Sequence, residues 1–250
     1  MPTIALENVT KYYQTGKHGW TEKQVETGVE DVSLTIEQGD FVFVIGSSGA
    51  GKSTLLDLIS GQMRPDRGVV RLEGRDLSKL MRWNYTRTAM LFGKVPQEQS
   101  LIRKMTVEEN LMLAARVGRK LESARQLQAR IEKVVGLVGM AGTGKRYPAE
   151  MSIGECRRVE LARALINSPP ILILDEITAN LDDDNIWDIF HLLTEINHRG
   201  TTVIMATHAS KYVNIMRRRV VTLVDGRLFG DVRREDTVMW CKKRARRTAD

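Results

Sequence analysis

The chain has 250 residues, of which 42% are hydrophobic and 28% charged, with a net charge of +7. That balance excludes a disordered chain, and no apolar run approaches the ~20 residues that a membrane-crossing helix requires. Cys156 and Cys241 lie too far apart in sequence to suggest a disulfide framework or zinc site, and MPTIALENV has no secretory-leader pattern, so a cytoplasmic protein is expected.

Residues 3–10 alternate, with Ile4, Leu6 and Val9 among polar neighbours, and residues 32–36 do the same. Two antiparallel strands are predicted, joined by a polar hairpin loop over 14–28. Tyr12 and Tyr13 end the first strand. Tyr13 is a candidate for stacking on a base, with simple packing on the strand end as the alternative.

The run FVFVI at 41–45 predicts a short buried strand, and LLDLI at 55–59 the first turns of a helix that stops near Gly61. Between them lies GSSGAGKST, residues 46–54, which fits the phosphate-binding pattern G-x-x-x-x-G-K-[ST]. Strand, glycine loop and helix are the context that pattern requires. Backbone N–H groups of Gly46, Ser47, Ser48, Gly49, Ala50 and Gly51 would turn inward around an anion, and the helix N-terminus adds partial positive charge. Lys52 would reach the β- and γ-phosphates, the Ser53 hydroxyl would complete a Mg²⁺ shell, and Thr54 closes the loop. A nucleoside triphosphate is the expected ligand.

Beyond the loop, PDRG at 65–68 predicts a turn, VVRL at 69–72 a strand, and Glu73 and Gly74 a second turn. Residues 77–85 are mixed and basic and give no clear element. An apolar run at 89–92 leads to Val95, Pro96 and Gln97. From about 101 to 163 the pattern is helical: Thr106 and Glu109 form a capping box before Leu111, Met112 and Ala115, and a second amphipathic helix runs over about 122–137. This predicts a helical lobe inserted into an α/β core. After a loop at 139–148 comes MSIGE at 151–155, then a helix ended by Pro169 and Pro170. ILIL at 171–174 is an apolar strand that ends in Asp175 and Glu176. An acidic pair there, in a chain with a phosphate loop, gives Asp175 as a Mg²⁺ ligand, direct or through water, and Glu176 as the base that polarises attacking water. Ile186, Ile189, Phe190, Leu193 and Ile196 mark a helix face, VIMA at 203–206 a strand ending in Thr207 and His208, and Asp225-Gly226 a two-residue hairpin turn. His208, at the end of a core strand, is a candidate γ-phosphate sensor.

The excess positive charge gathers at the C-terminus, where Arg233, Arg234, Lys242, Lys243, Arg244, Arg246 and Arg247 flank Trp240. Such a tail suits anionic lipid or nucleic acid, and equally a solvated, frayed terminus.

Five pieces in order, namely residues 46–54, Gln97, residues 151–155, Asp175-Glu176 with Asp182, and His208, resemble the ATP-binding-cassette (ABC) ATPases over about the whole chain. The resemblance implies an α/β P-loop NTPase cassette with a RecA-like core, an N-terminal antiparallel β subdomain and the inserted helical lobe. Residues 1–96 and 164–232 would form the core with its β subdomain, 97–163 the lobe and 233–250 the tail. It further implies ATP and Mg²⁺ as ligands and a homodimer that sandwiches two nucleotides. Ser152 and Gly154 would contact the γ-phosphate across the dimer, Asp182 would couple the two sites, and Gln97 would approach the metal and link nucleotide state to a membrane partner.

NLD at 180–182, Asp184, Asn185, Trp187, EIN at 195–197, GTTVIMATH at 200–208, MRRRV at 216–220, Gly226-Arg227 and Glu155 are similar to the FtsE subfamily. That likeness implies an integral, FtsX-like permease as partner and a place in cell division, peripheral on the inner face of the cell membrane; the alternative is the ATP-binding subunit of a transporter for lipoprotein, peptide or drug export. A soluble ABC protein acting on nucleic acid is disfavoured by the single cassette and the lack of a long heptad insertion, so no nucleic-acid partner is expected. Ile153 replaces a usual glycine of the signature, Met151 a leucine and Ile177 a common proline. An active ATPase is expected, slowed by these departures, with an ATP-dependent clamp of negligible turnover as the alternative.

Overall fold

The computed structural model describes residues 3–15, 24–117 and 122–233. Cys241, Trp240 and the basic residues from Arg234 onward lie outside the described residues, as does most of the expected hairpin loop. The chain forms two compact units, residues 1–83 with 204–250, and residues 84–203.

The first unit opens with β1 (Ile4–Thr15) and β2 (Gln24–Ile36). They pair antiparallel, with Ile4 opposite Ile36 and Leu6 opposite Leu34, so four buried apolar side chains share one face. Both strands run further than the alternation predicts. Past Leu6 the register shifts, and Asn8 (φ 49°) and Asp31 (φ 49°) take the left-handed conformation, linked by Asn8 Nδ2 donating to Asp31 Oδ1 at 3.0 Å. Such bulges break the two-residue period that sequence patterning relies on, so Tyr13 lies within the strand rather than at its end.

β3 (Phe41–Ile45) is buried at every position, which accounts for its unbroken apolar run. α1 (Lys52–Ile59), β4 (Arg67–Leu72), β5 (Arg75–Asp76) and α2 (Leu77–Trp83) follow. The order β2-β1-β4-β5 makes a four-stranded sheet.

The second unit begins with α3 (Tyr85–Ala89), capped by the Asn84 side chain, and β6 (Phe92–Val95). α4 (Val107–Arg116) starts in the capping box read from the sequence: Thr106 Oγ1 accepts from the Glu109 amide and Glu109 accepts from the Thr106 amide. α5 (Ala124–Leu137) starts at Ser123 in the same way. After one helical turn at Pro148–Glu150 come α6 (Ile153–Leu165), β7 (Ile171–Asp175) and α7 (Asp183–His198). β6 and β7 pair in parallel, Phe92 opposite Ile171.

β8 (Thr202–Ala206), α8 (Ser210–Met216), β9 (Arg219–Val224) and β10 (Arg227–Val232) complete the chain, and from Ile204 on they belong to the first unit. There the strand order is β10-β9-β3-β8, with β3 and β9 parallel and β9 and β10 an antiparallel hairpin. Arg219 joins the pieces: its guanidinium donates to Asp40, Asp231 and the Thr35 carbonyl, at 2.6 to 2.8 Å. Hydrogen bonding to Asp231, above all, raises its pKa further above the ordinary value. No helix of the described residues is long and apolar enough to cross a membrane.

Candidate functional site

In the first unit the phosphate loop leaves the buried end of β3 and enters α1. Gly51 is the residue before the helix and stands at φ 91°, where an L side chain is strained. A Cβ there would also lie 2.1 Å from the Gly28 carbonyl oxygen. The backbone at this corner therefore demands glycine twice over. Ser47, Ser48 and Gly49 are exposed along the loop, as is Ser53 one turn on.

Lys52 is only 5% exposed. Its ammonium folds back and donates to the Gly46 carbonyl at 3.1 Å and the Ser47 carbonyl at 3.0 Å, and lies 3.2 Å from His208 Nε2. His208 is delivered by the end of β8, where the Thr207 amide donates to the Val44 carbonyl of β3. Adjacent strands of one sheet thus carry the lysine and the histidine to one place. Tyr13 reaches the same helix: its hydroxyl lies 3.0 Å from Thr54 Oγ1 and donates to Met63 Sδ at 3.3 Å.

In the second unit Asp175 ends β7 buried, and Glu176 follows at φ 48°. A non-glycine residue in that conformation costs about 1–3 kcal/mol. Ile177 and Thr178, both buried, fix the backbone on its far side. Gln97, just past β6, donates from Nε2 to Glu176 Oε2 at 3.3 Å. The two residues that the sequence placed at separate strand ends are therefore neighbours.

Residues 151–155 form the start of α6. Ser152 is its N-cap, with Oγ accepting from the Glu155 amide at 3.2 Å, while Glu155 Oε2 accepts from the Ser152 amide at 2.8 Å. The Ser152 amide and then Arg146 hold the Glu155 carboxyl below the usual carboxylate range. Ile153 is 47% exposed in the first turn. Asp182 caps α7 through the Asn185 amide at 2.8 Å and holds Asn185 Nδ2 at 2.8 Å; these two bonds keep its pKa low. A Cβ on Gly154 would come 2.9 Å from Asn185 Oδ1, so any larger residue there would have to push the Asp182-bound carboxamide aside.

Sequence reasoning missed Arg157 and Glu160, which are buried on α6 and grip the chain on either side of Gln97. Their only signal was an i, i+3 charge pair in the helix read between MSIGE and Pro169.

The donor set fits a triphosphate with a hard divalent cation. Among the described residues no three His, Cys, Asp or Glu side chains are gathered for a metal. That is what Mg²⁺ tolerates, since it takes one or two protein oxygens and fills its remaining positions with phosphate and water.

Residues 29–179 match the ABC transporter family. The cell division ATP-binding protein FtsE of Streptococcus pneumoniae is 37% identical over 231 residues, covering 92% of this chain and 96% of that one. The methionine import ATP-binding protein MetN of Geobacillus kaustophilus is 34% identical over 226 residues, 90% of this chain and 64% of that one. The dimeric, post-hydrolysis structure of the ATP-binding cassette MJ0796 bound to ADP and Pi superposes with a TM-score of 0.82 at 29% identity, covering 92% of this chain and 98% of that one. A family match across more than half the sequence, and a relative that similar over nearly its full length, settle the assignment: the chain belongs to the ABC transporter family of ATP-binding cassettes.

Proposed function

We propose that this ABC ATPase binds and hydrolyses ATP as a homodimer and drives a conformational change in an integral membrane partner, as the FtsE-like subunit of a cell-division complex. The observation that carries the subfamily is the 37% identity to the S. pneumoniae protein over 231 residues. Support for hydrolysis comes from the side chains themselves. Lys52 is already buried in the loop, so exchanging its carbonyl partners for phosphate oxygens needs no large movement. The exposed Ser53 hydroxyl, with Asp175 and Gln97, would hold Mg²⁺, which when bound neutralises charge between the β- and γ-phosphates. Glu176 takes a proton from the attacking water as the bond from the γ-phosphorus to the bridging oxygen breaks, leaving ADP and phosphate. His208 donates toward the γ-phosphate, Tyr13 stacks on the base, and Ser152 and Gly154 serve the nucleotide of the second copy. The protein then works at the inner face of the cell membrane.

Two measurements test this. Glu176→Gln should lower ATP turnover by roughly 10²–10⁴ while ATP still binds; unchanged turnover removes Glu176 from the role. Co-purification from detergent-solubilised membranes should recover a permease with four spans and one large extracytoplasmic loop. A partner with six or more spans would make the chain a transporter subunit, and recovery of no membrane protein would favour a soluble function.

A further inference from the structure

Gln97 touches Glu176, yet Gln97 is exposed and follows a proline at the end of a four-residue strand. Its side chain can hold that position only if the backbone beneath it is held. The second unit supplies the hold from one face of α6. Arg157 donates to the Pro96 carbonyl at 3.2 Å and to the Gln97 carbonyl at 2.5 Å, and pairs with Glu160 at 2.8 Å. Glu160 in turn accepts from the Ser100 amide at 2.6 Å and from the Ser100 hydroxyl at 3.1 Å. One turn further, Arg163 donates to the Ser100 carbonyl at 2.7 Å and also to its hydroxyl.

Arg157 is 5% exposed and Glu160 1%. Burying two charges is expensive, and an apolar pair of similar volume holds a fold as well or better. These charges are not spent on joining helices. Apart from their own pair and the Ser100 hydroxyl, their hydrogen bonds go to backbone groups of Pro96, Gln97 and Ser100, which bracket the segment that carries the Gln97 side chain. α6 is also the helix that Ser152 caps, so the same rigid element carries the signature residues at its start and fixes Gln97 from its second turn.

We propose that Arg157 and Glu160 are positioning residues for ATP hydrolysis: as a buried ion pair they clamp the backbone on both sides of Gln97 and so hold its carboxamide against Glu176. The clamp acts through Gln97 and touches no nucleotide itself, and it rests on the ATPase proposed above.

A double-mutant cycle tests it. Replacing both members together, Arg157→Met with Glu160→Leu, leaves neither charge buried alone. Turnover should fall about 10- to 10²-fold, the scale of a misplaced catalytic contact, with ATP affinity within about twofold of the parent. In a Gln97→Ala chain the same pair of changes should cost less than about twofold more, because there is no carboxamide left to place. Arg157→Lys, which keeps the ion pair, should retain part of the turnover. An equal loss in the Gln97→Ala chain, unchanged turnover in the parent, or a doubly replaced chain that no longer unfolds cooperatively would overturn the clamp and leave the pair a fold-holding element. Failure of the underlying ATPase shows itself separately, as a parent chain without turnover or one indifferent to Glu176→Gln.

Discussion

Ile153 and Glu176 each break a local rule. Glu176 keeps a left-handed backbone that asparagine or glycine would adopt more cheaply, and its carboxylate meets Gln97 in consequence. Ile177 beside it is fully buried, so the isoleucine found where the family often has proline is a core residue that stabilises the segment by roughly 1.5–3 kcal/mol. Ile153 is the opposite case: nearly half exposed, it gains little from burial and places a β-branched side chain in the first turn of α6, beside Ser152. Replacing it by glycine should act in two directions at once. Thermal stability should fall by about 0.5–1 kcal/mol for glycine in a helical turn, while ATP turnover should rise several-fold as the approach to Ser152 and Gly154 opens. Steady-state hydrolysis and a melting curve on the same preparation check both. A turnover that stays level would show that the bulk at this position does not set the rate.

α6 and α4 show how much one helix start can determine. At α6 the Ser152–Glu155 box also holds Arg146, 2.9 Å from Glu155. Glu155 titrates below its ordinary value of 4.5 when folded, so its contribution is fully present above that value and is lost as pH falls through the lower, folded one. Acid titration of stability should therefore steepen below about pH 4.5 in the parent and flatten in Glu155→Gln. Ser152→Ala should cost about 1 kcal/mol at neutral pH, the usual worth of an N-cap. At α4, Asn110 is 1% exposed: its Oδ1 accepts from the Ile102 amide, and the two protons of its Nδ2 are shared among the carbonyls of Ile102, Met105 and Thr106. Asn110→Leu takes the side-chain partner from the Ile102 amide and the Met105 carbonyl, while the Ile102 and Thr106 carbonyls keep the backbone amides of Met105 and Asn110; it should destabilise by roughly 2–4 kcal/mol, read from denaturant unfolding. These two starts also mark what was legible beforehand. The Thr106 box is a local pattern of i and i+3, and the buried runs of β3, β7 and β8 are continuous, so residues alone disclosed them. α2 and α8 were not, because each is seven residues of mixed polarity whose apolar positions are too few to show a period. The length of β1 was hidden by its bulges, and Arg157 and Glu160 by the general truth that charges on a helix usually face water. Among the proposed nucleotide residues, the loop at 46–54 was visible as a motif, whereas the contacts between Gln97 and Glu176 and between Lys52 and His208 depend on strand order, which no local window contains.

The molecule presents Ser152 and Asp182 at its surface, each capping a helix. Within one chain that capping is a structural task, not a chemical one. A second copy would give them one, and the structural relative bound to ADP and Pi is a dimer. Two 28.3 kDa chains that share nucleotides should associate only while ATP persists, because the γ-phosphate is the group that Ser152 would reach. In the parent, hydrolysis removes that group and the pair should separate. Glu176→Gln preserves the shape of the side chain and its contact with Gln97 while removing the base, so ATP should remain and the dimer accumulate. Light scattering should therefore give about twice the monomer mass for Glu176→Gln with Mg²⁺ and ATP, and the monomer mass with ADP. Lys52→Ala, which loses the phosphate grip, should stay monomeric in both. A Glu176→Gln chain that retains bound ATP yet remains a single 28.3 kDa species would remove the homodimer, and with it the roles proposed for Ser152, Gly154 and Asp182.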